Sequence, residues 1–126
     1  MKKISLILFA AVILHIVLGC CDKLEIKGVV SIDDKIIIKF KDFERPSELI
    51  IKELPPDDSY LWILQCKTPE PEEFKCSCSF NELIYGSPPK CYKQYGDAKP
   101  LIKGKEYELV YSLTPKHDEY IKFIVK

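Results

Sequence analysis

The sequence predicts an all-β fold, a small β-sandwich of about seven strands with a disulfide-stapled loop excursion. Three observations point there. Beyond residue 23, apolar residues alternate with polar ones in short runs, and no sustained helical period occurs. Asp, Gly and Pro clusters that favour turns separate the runs. Four cysteines, Cys66, Cys76, Cys78 and Cys91, fall in or beside a single proline-rich region.

Taken in order, the first strand is LEIKGVVSI (24–32), which ends at the turn signal Asp33-Asp34. KIIIKFK (35–41) follows, with Ile36, Ile38 and Phe40 on one face and Ile37, Lys39 and Lys41 on the other. ELIIKEL (48–54) is short and β-branched. Pro55-Pro56-Asp57-Asp58 stops it, because proline has no N–H for a ladder and aspartate favours turns. YLWILQC (60–66) is apolar on both faces, as a central strand would be. EYELVYSL (106–113) puts Tyr107, Leu109, Tyr111 and Leu113 on one side. In YIKFIVK (120–126), Ile121, Phe123 and Val125 point inward, with Lys122 and Lys126 outward. FKCSCSF (74–80) is the optional seventh strand, and six or seven such runs suit a sandwich.

A local motif sharpens the fold class. In Leu101-Ile102-Lys103-Gly104-Lys105-Glu106-Tyr107, a glycine follows the leucine by three and a tyrosine follows the glycine by three. This resembles the tyrosine corner of immunoglobulin-like and fibronectin type III sandwiches. The resemblance implies that the Tyr107 hydroxyl bonds a backbone group a few residues upstream, with Gly104 in the turn.

The N-terminal residues read as a targeting signal. Lys2 and Lys3 precede an apolar run from Ile4 to Leu18, too short to span a bilayer, which needs roughly 20 residues. Val17-Leu18-Gly19-Cys20 then resembles the lipobox of bacterial lipoproteins: aliphatic, variable, small, cysteine. The resemblance implies a diacylglyceryl group on the Cys20 thiol and cleavage just before it. A lipid with more than one acyl chain anchors stably where a single chain is marginal. The alternative is an ordinary secretory signal cut near Gly19. The organisation expected is therefore a leader at 1–19, a lipidated tether at 20–23 and one β-sandwich domain at 24–126. The tether carries Cys21, to which no partner is assigned. In many lipoproteins of this kind an aspartate after the acylated cysteine retains the protein in the inner membrane. Here Cys21 stands in that place and Asp22 follows, so the outer membrane is favoured, with the domain facing the periplasm.

An exported chain with an even cysteine set implies disulfides. Four cysteines allow three pairings, and the sequence does not choose among them. Cys76–Cys78 is disfavoured, because residues two apart in a strand lie about 6.5 Å from each other, near the upper limit for an unstrained bridge. A zinc site is disfavoured too: paired cysteine ligands normally have two to four residues between them, and Cys76-Ser77-Cys78 has one. Residues 67–104 hold most of the prolines and form the expected stapled excursion.

Little here resembles catalytic machinery. His15 lies in the leader, and His117 lies in the turn TPKHDE between lysine and aspartate, a solvated setting. Glu70, Glu72 and Glu73 read as a solvated acidic loop rather than a carboxylate pair across a groove. No glycine-rich phosphate loop occurs, and no cofactor is expected. Basic and acidic residues balance at 19 each, which gives no basic field for nucleic acid. What remains is binding. Tyr85, Tyr92, Lys93 and Tyr95 crowd the excursion near Cys91, and stiff aromatic side chains are enriched in recognition surfaces. The competing reading is that these tyrosines cover the excursion's own small core.

As a whole, the lipobox, the strand-rich body and the pattern GKEYELVYSL…YIKFIVK resemble the type VI secretion immunity lipoproteins. That resemblance implies a non-enzymatic, membrane-anchored protein whose partner is an effector toxin. The alternatives are an inhibitor of lysozyme or another periplasmic hydrolase, a structural envelope lipoprotein, or a glycan-binding surface module.

Overall fold

A computed structural model describes residues 24–70, 75–114 and 117–126. The leader, Cys20 and the tether lie outside the described residues, as do Glu72 and Glu73. Among the described residues there are nine strands in two antiparallel sheets. They are β1 (Ile26–Ile32), β2 (Lys35–Pro46), β3 (Glu48–Glu53), β4 (Tyr60–Cys66), β5 (Pro69–Glu70), β6 (Lys75–Ile84), β7 (Tyr92–Gln94), β8 (Glu106–Thr114) and β9 (His117–Ile124). One sheet has the order β1-β2-β6-β5 and the other β7-β4-β3-β8-β9. The arrangement is an all-β sandwich. The two strands beyond the expected seven, β5 and β7, are very short edge pieces.

Alternation explains the core. Val29, Ile38, Phe40, Phe80 and Leu83 of the four-stranded sheet face Leu49, Ile51, Trp62, Leu64, Leu109, Tyr111 and Phe123 of the five-stranded sheet. Phe40 packs edge to face on Phe80 at 5.7 Å within the four-stranded sheet, and Phe80 crosses to Tyr92 of the other sheet at 5.3 Å, the geometry aromatic quadrupoles favour. Leu24 closes the open side: its side chain is buried, and its N–H donates to the Tyr111 hydroxyl at 2.9 Å.

The region expected to be irregular contains a full strand. β6 runs through ten residues of it and pairs along β2. Its signal in sequence is weak for a physical reason. The inward positions are Cys76, Cys78 and Phe80, after which the inward parity shifts to Leu83, so no clean period develops. β2 also extends past its expected end to Pro46, across register shifts between Lys39 and Glu44 and between Glu44 and Pro46.

Disulfides Cys66–Cys76 and Cys78–Cys91 staple the excursion, so neither adjacent-pair bonding nor a metal is needed to account for the four thiols. The first ties β4 to β6 and thus one sheet to the other. The second ties β6 to the residue that enters β7.

The chain after β7 continues along the free edge of β4. Tyr95 N–H donates to Ile63 O at 3.0 Å and Lys99 N–H to Leu61 O at 2.9 Å. Just beyond Lys99, the Tyr107 hydroxyl accepts the Ile102 N–H at 2.7 Å. Gly104 takes a left-handed φ of 88° in the intervening turn and donates its N–H to Val125 O.

Candidate interaction face

The four side chains expected to meet a partner divide into two pairs. Tyr92 is 2% exposed, and its hydroxyl donates to Pro46 O at 2.6 Å. It belongs to the core and is unavailable to a partner. Its position opposite Cys66 in the β4–β7 ladder gives it inward parity. Tyr85 is half-buried, with its ring edge-on to Trp62 at 5.0 Å and its hydroxyl 2.5 Å from Lys99 O and 3.2 Å from Leu61 O. It ties the excursion to β4. Burial pushes the hydroxyl pKa of both tyrosines well above the ordinary 10. Lys93 and Tyr95, by contrast, are exposed, and the Lys93 ammonium lies 5.0 Å from the Tyr95 ring centre.

Register places Lys93 and Tyr95 at one margin of a larger feature, the outer face of the five-stranded sheet. Tyr95 bonds to the backbone of Ile63. Ile63 pairs with Ile50, Ile50 with Val110, and Val110 with Tyr120. These five residues, from four strands and the residue just after β7, form an uncharged row about 19 Å from end to end at the usual strand spacing. The end tyrosines are open to solvent, Tyr95 at 45% and Tyr120 at 59%. An antiparallel sheet normally turns polar residues to water on its outer face. Here only the flanking rows are polar.

On one side of the row stand Tyr60, Lys52, Glu108 and Lys122, linked in register. The Lys52 ammonium is 2.5 Å from Asp58 Oδ1 and 3.7 Å from Glu108 Oε1. Its hydrogen bond to Asp58 holds its pKa above the ordinary 10.5, so this cation is fixed in place as well as charged. On the other side stand Lys93, Gln65 and Glu48, with the Gln65 amide donating to Glu48 Oε2 at 2.7 Å, and then Ser112 and Asp118. An apolar centre with exposed aromatics and a rim of polar and charged side chains has the composition of a protein-recognition surface.

Sequence reasoning missed Ile50, Ile63, Val110 and Tyr120. The available signal was that three mutually paired strands, ELIIKE, YLWILQC and EYELVYSLT, each carry an apolar residue at outward parity. Among the described residues, no group of three His, Cys, Asp or Glu side chains is placed to hold a metal ion. His117 opens β9 opposite Thr114. Comparison with protein-family models, with curated proteins and with solved structures returned no match for this chain.

Proposed function

We propose that this chain is a lipid-anchored envelope protein that works by binding another protein, as an immunity protein that neutralises a type VI secretion effector. The outer face of the five-stranded sheet is the binding surface. The observation that carries the reading is the uncharged, tyrosine-ended row Tyr95-Ile63-Ile50-Val110-Tyr120, lying where a solvated sheet would be polar. The two disulfides support an oxidising compartment such as the periplasm. The lipobox-like Val17-Leu18-Gly19-Cys20 supports the anchor. Tight association would be the whole mechanism, with no turnover.

The test is rescue. Cells producing the full chain are challenged with the secreted effector encoded beside its gene. Protection is expected, and Tyr120→Asp together with Ile50→Lys should abolish it, because burying an unpaired charge among apolar contacts weakens binding by roughly 100-fold or more. Equal killing with and without the protein would refute the immunity reading. Full protection by the double variant would refute the surface.

A further inference from the structure

The burial of Leu24, four residues beyond Cys20 in sequence, constrains how an anchored form can stand. Leu24 is 4% exposed, and its N–H is held by the Tyr111 hydroxyl. Leu24 is therefore a fixed part of the sandwich. Only Cys21, Asp22 and Lys23 separate it from Cys20. Four Cα steps span at most about 14 Å even when fully extended. That is about twice the depth of one headgroup layer, roughly 5–8 Å. A lipid on Cys20 would therefore keep the Leu24 end of the sandwich within roughly 10 Å of the headgroups, too close for a long stalk.

The surface at that end carries an unexplained feature. Phe43 is 68% exposed, the highest exposure of any large apolar side chain among the described residues. It lies in β2 within the register shift between Lys39 and Glu44, where the strand bulges out of its ladder with β6. Lys41 N–H donates to Glu25 O at 3.0 Å, so Phe43, two residues further on, comes level with the point where the tether leaves β1. A bulge that turns a phenylalanine outward is an odd use of a strand in water, but it suits a residue placed at the height of lipid headgroups.

We propose that the anchored protein stands on the bilayer on its Leu24 end with Phe43 inserted at the membrane surface. The strands then rise from the membrane, and the β1–β2 turn, the β3–β4 turn and the Gly104 corner point away from it. The row from Tyr95 to Tyr120 lies parallel to the bilayer and open from the side. This orientation rests on the lipid-anchor part of the reading above.

Tryptophan depth measurement tests it. The only native tryptophan, Trp62, is 1% exposed and serves as an internal blank. Phe43→Trp and Ile102→Trp are made in the full chain, the second at an exposed site beside the Gly104 corner. Each matured protein is reconstituted in phosphatidylcholine vesicles with and without acyl-chain bromination, and its mass reports the lipid on Cys20. Brominated lipid should lower Phe43→Trp emission about two-fold and leave Ile102→Trp unchanged, as expected for an aromatic at the headgroup–acyl boundary. A lipidated Phe43→Trp protein quenched no more than Ile102→Trp overturns the orientation and leaves the anchor standing. A mature mass without lipid overturns both.

Discussion

Replacing Tyr107 with phenylalanine isolates one hydroxyl. The ring is 1% exposed and lies 6.0 Å from the ring of Phe123, and phenylalanine preserves that packing. What disappears is the acceptor for the Ile102 N–H, a 2.7 Å bond in a part-buried position. Losing a hydrogen bond and stranding a buried donor costs about 1–3 kcal/mol. The Ile102 side chain is itself exposed, so water can partly replace the acceptor, which puts the loss at about 1.5 kcal/mol. For a domain of this size that corresponds to a fall of about 6–12 °C in Tm. Gly104→Ala provides a companion. An added Cβ would meet nothing within 4 Å, so its cost is the left-handed backbone alone, about 1–2 kcal/mol. If turn and hydroxyl act as one corner, the double variant should lose less than the two singles together. Urea unfolding of the four proteins reads all of this. A Tyr107→Phe protein within about 0.3 kcal/mol of the parent would show that the corner does not stabilise the sandwich.

Two other outcomes are expected. Cys66→Ala/Cys76→Ala should cost about 2.7 kcal/mol and Cys78→Ala/Cys91→Ala about 2.9 kcal/mol, from closure of loops with sequence separations of 10 and 13; urea midpoints that stay at the parent value would refute the pairing. Alkali should destabilise the fold, because burial holds the hydroxyls of Tyr85, Tyr92 and Tyr111 protonated above the ordinary 10 while the unfolded chain ionises there. This stability is complete below pH 10 and falls as pH rises beyond it, by up to about 1.4 kcal/mol per pH unit for the enclosed Tyr92, whereas a urea midpoint flat from pH 9 to 11 would contradict it.

The parts of the fold that could be read in the sequence are those with one wet face and one dry face. KIIIKFK and YIKFIVK alternate because each faces the core on one side, and the structure buries Ile38, Phe40, Phe123 and Val125 accordingly. β6 could be read only as an optional strand, because two of its four inward residues are cysteines, whose contribution lies in bonds to partners distant in sequence. β7 is three residues long and has no period at all; only its pairing with β4 makes it a strand. The tyrosines of the excursion show a different limit. Tyr92 and Tyr95 are three apart and chemically alike, yet strand parity sends one into the core and the other to solvent. Composition can collect such residues but cannot sort them. The outer-face row was hidden for the same reason, since its members come from four strands and the residue after β7 and become neighbours only through register.

The excursion has a structural logic that also bears on the face beside it. β4 reads YLWILQC, apolar on both sides and β-branched at one position only, the kind of strand that recruits other strands if its edge is open. β3 occupies one edge. On the other, β7 pairs with Leu64 to Cys66, Tyr95 reaches Ile63, and Lys99 and Tyr85 reach Leu61. The Trp62 indole N–H, donating to Gln94 at 2.7 Å, locks the same cover from the inside. Both disulfides lie at the root of this cover, with Cys66 at the end of β4 and Cys91 at the entry to β7. Reduction should therefore loosen the edge of β4 before it dissolves the sandwich. The first symptom would be self-association through β4, visible as growing particle size in a reducing buffer while far-ultraviolet dichroism stays β-like. A protein that unfolds under reduction without associating would show that the disulfides support the core instead. With the edge covered, the five-stranded sheet can present an apolar row on its face without offering a strand to every passing chain.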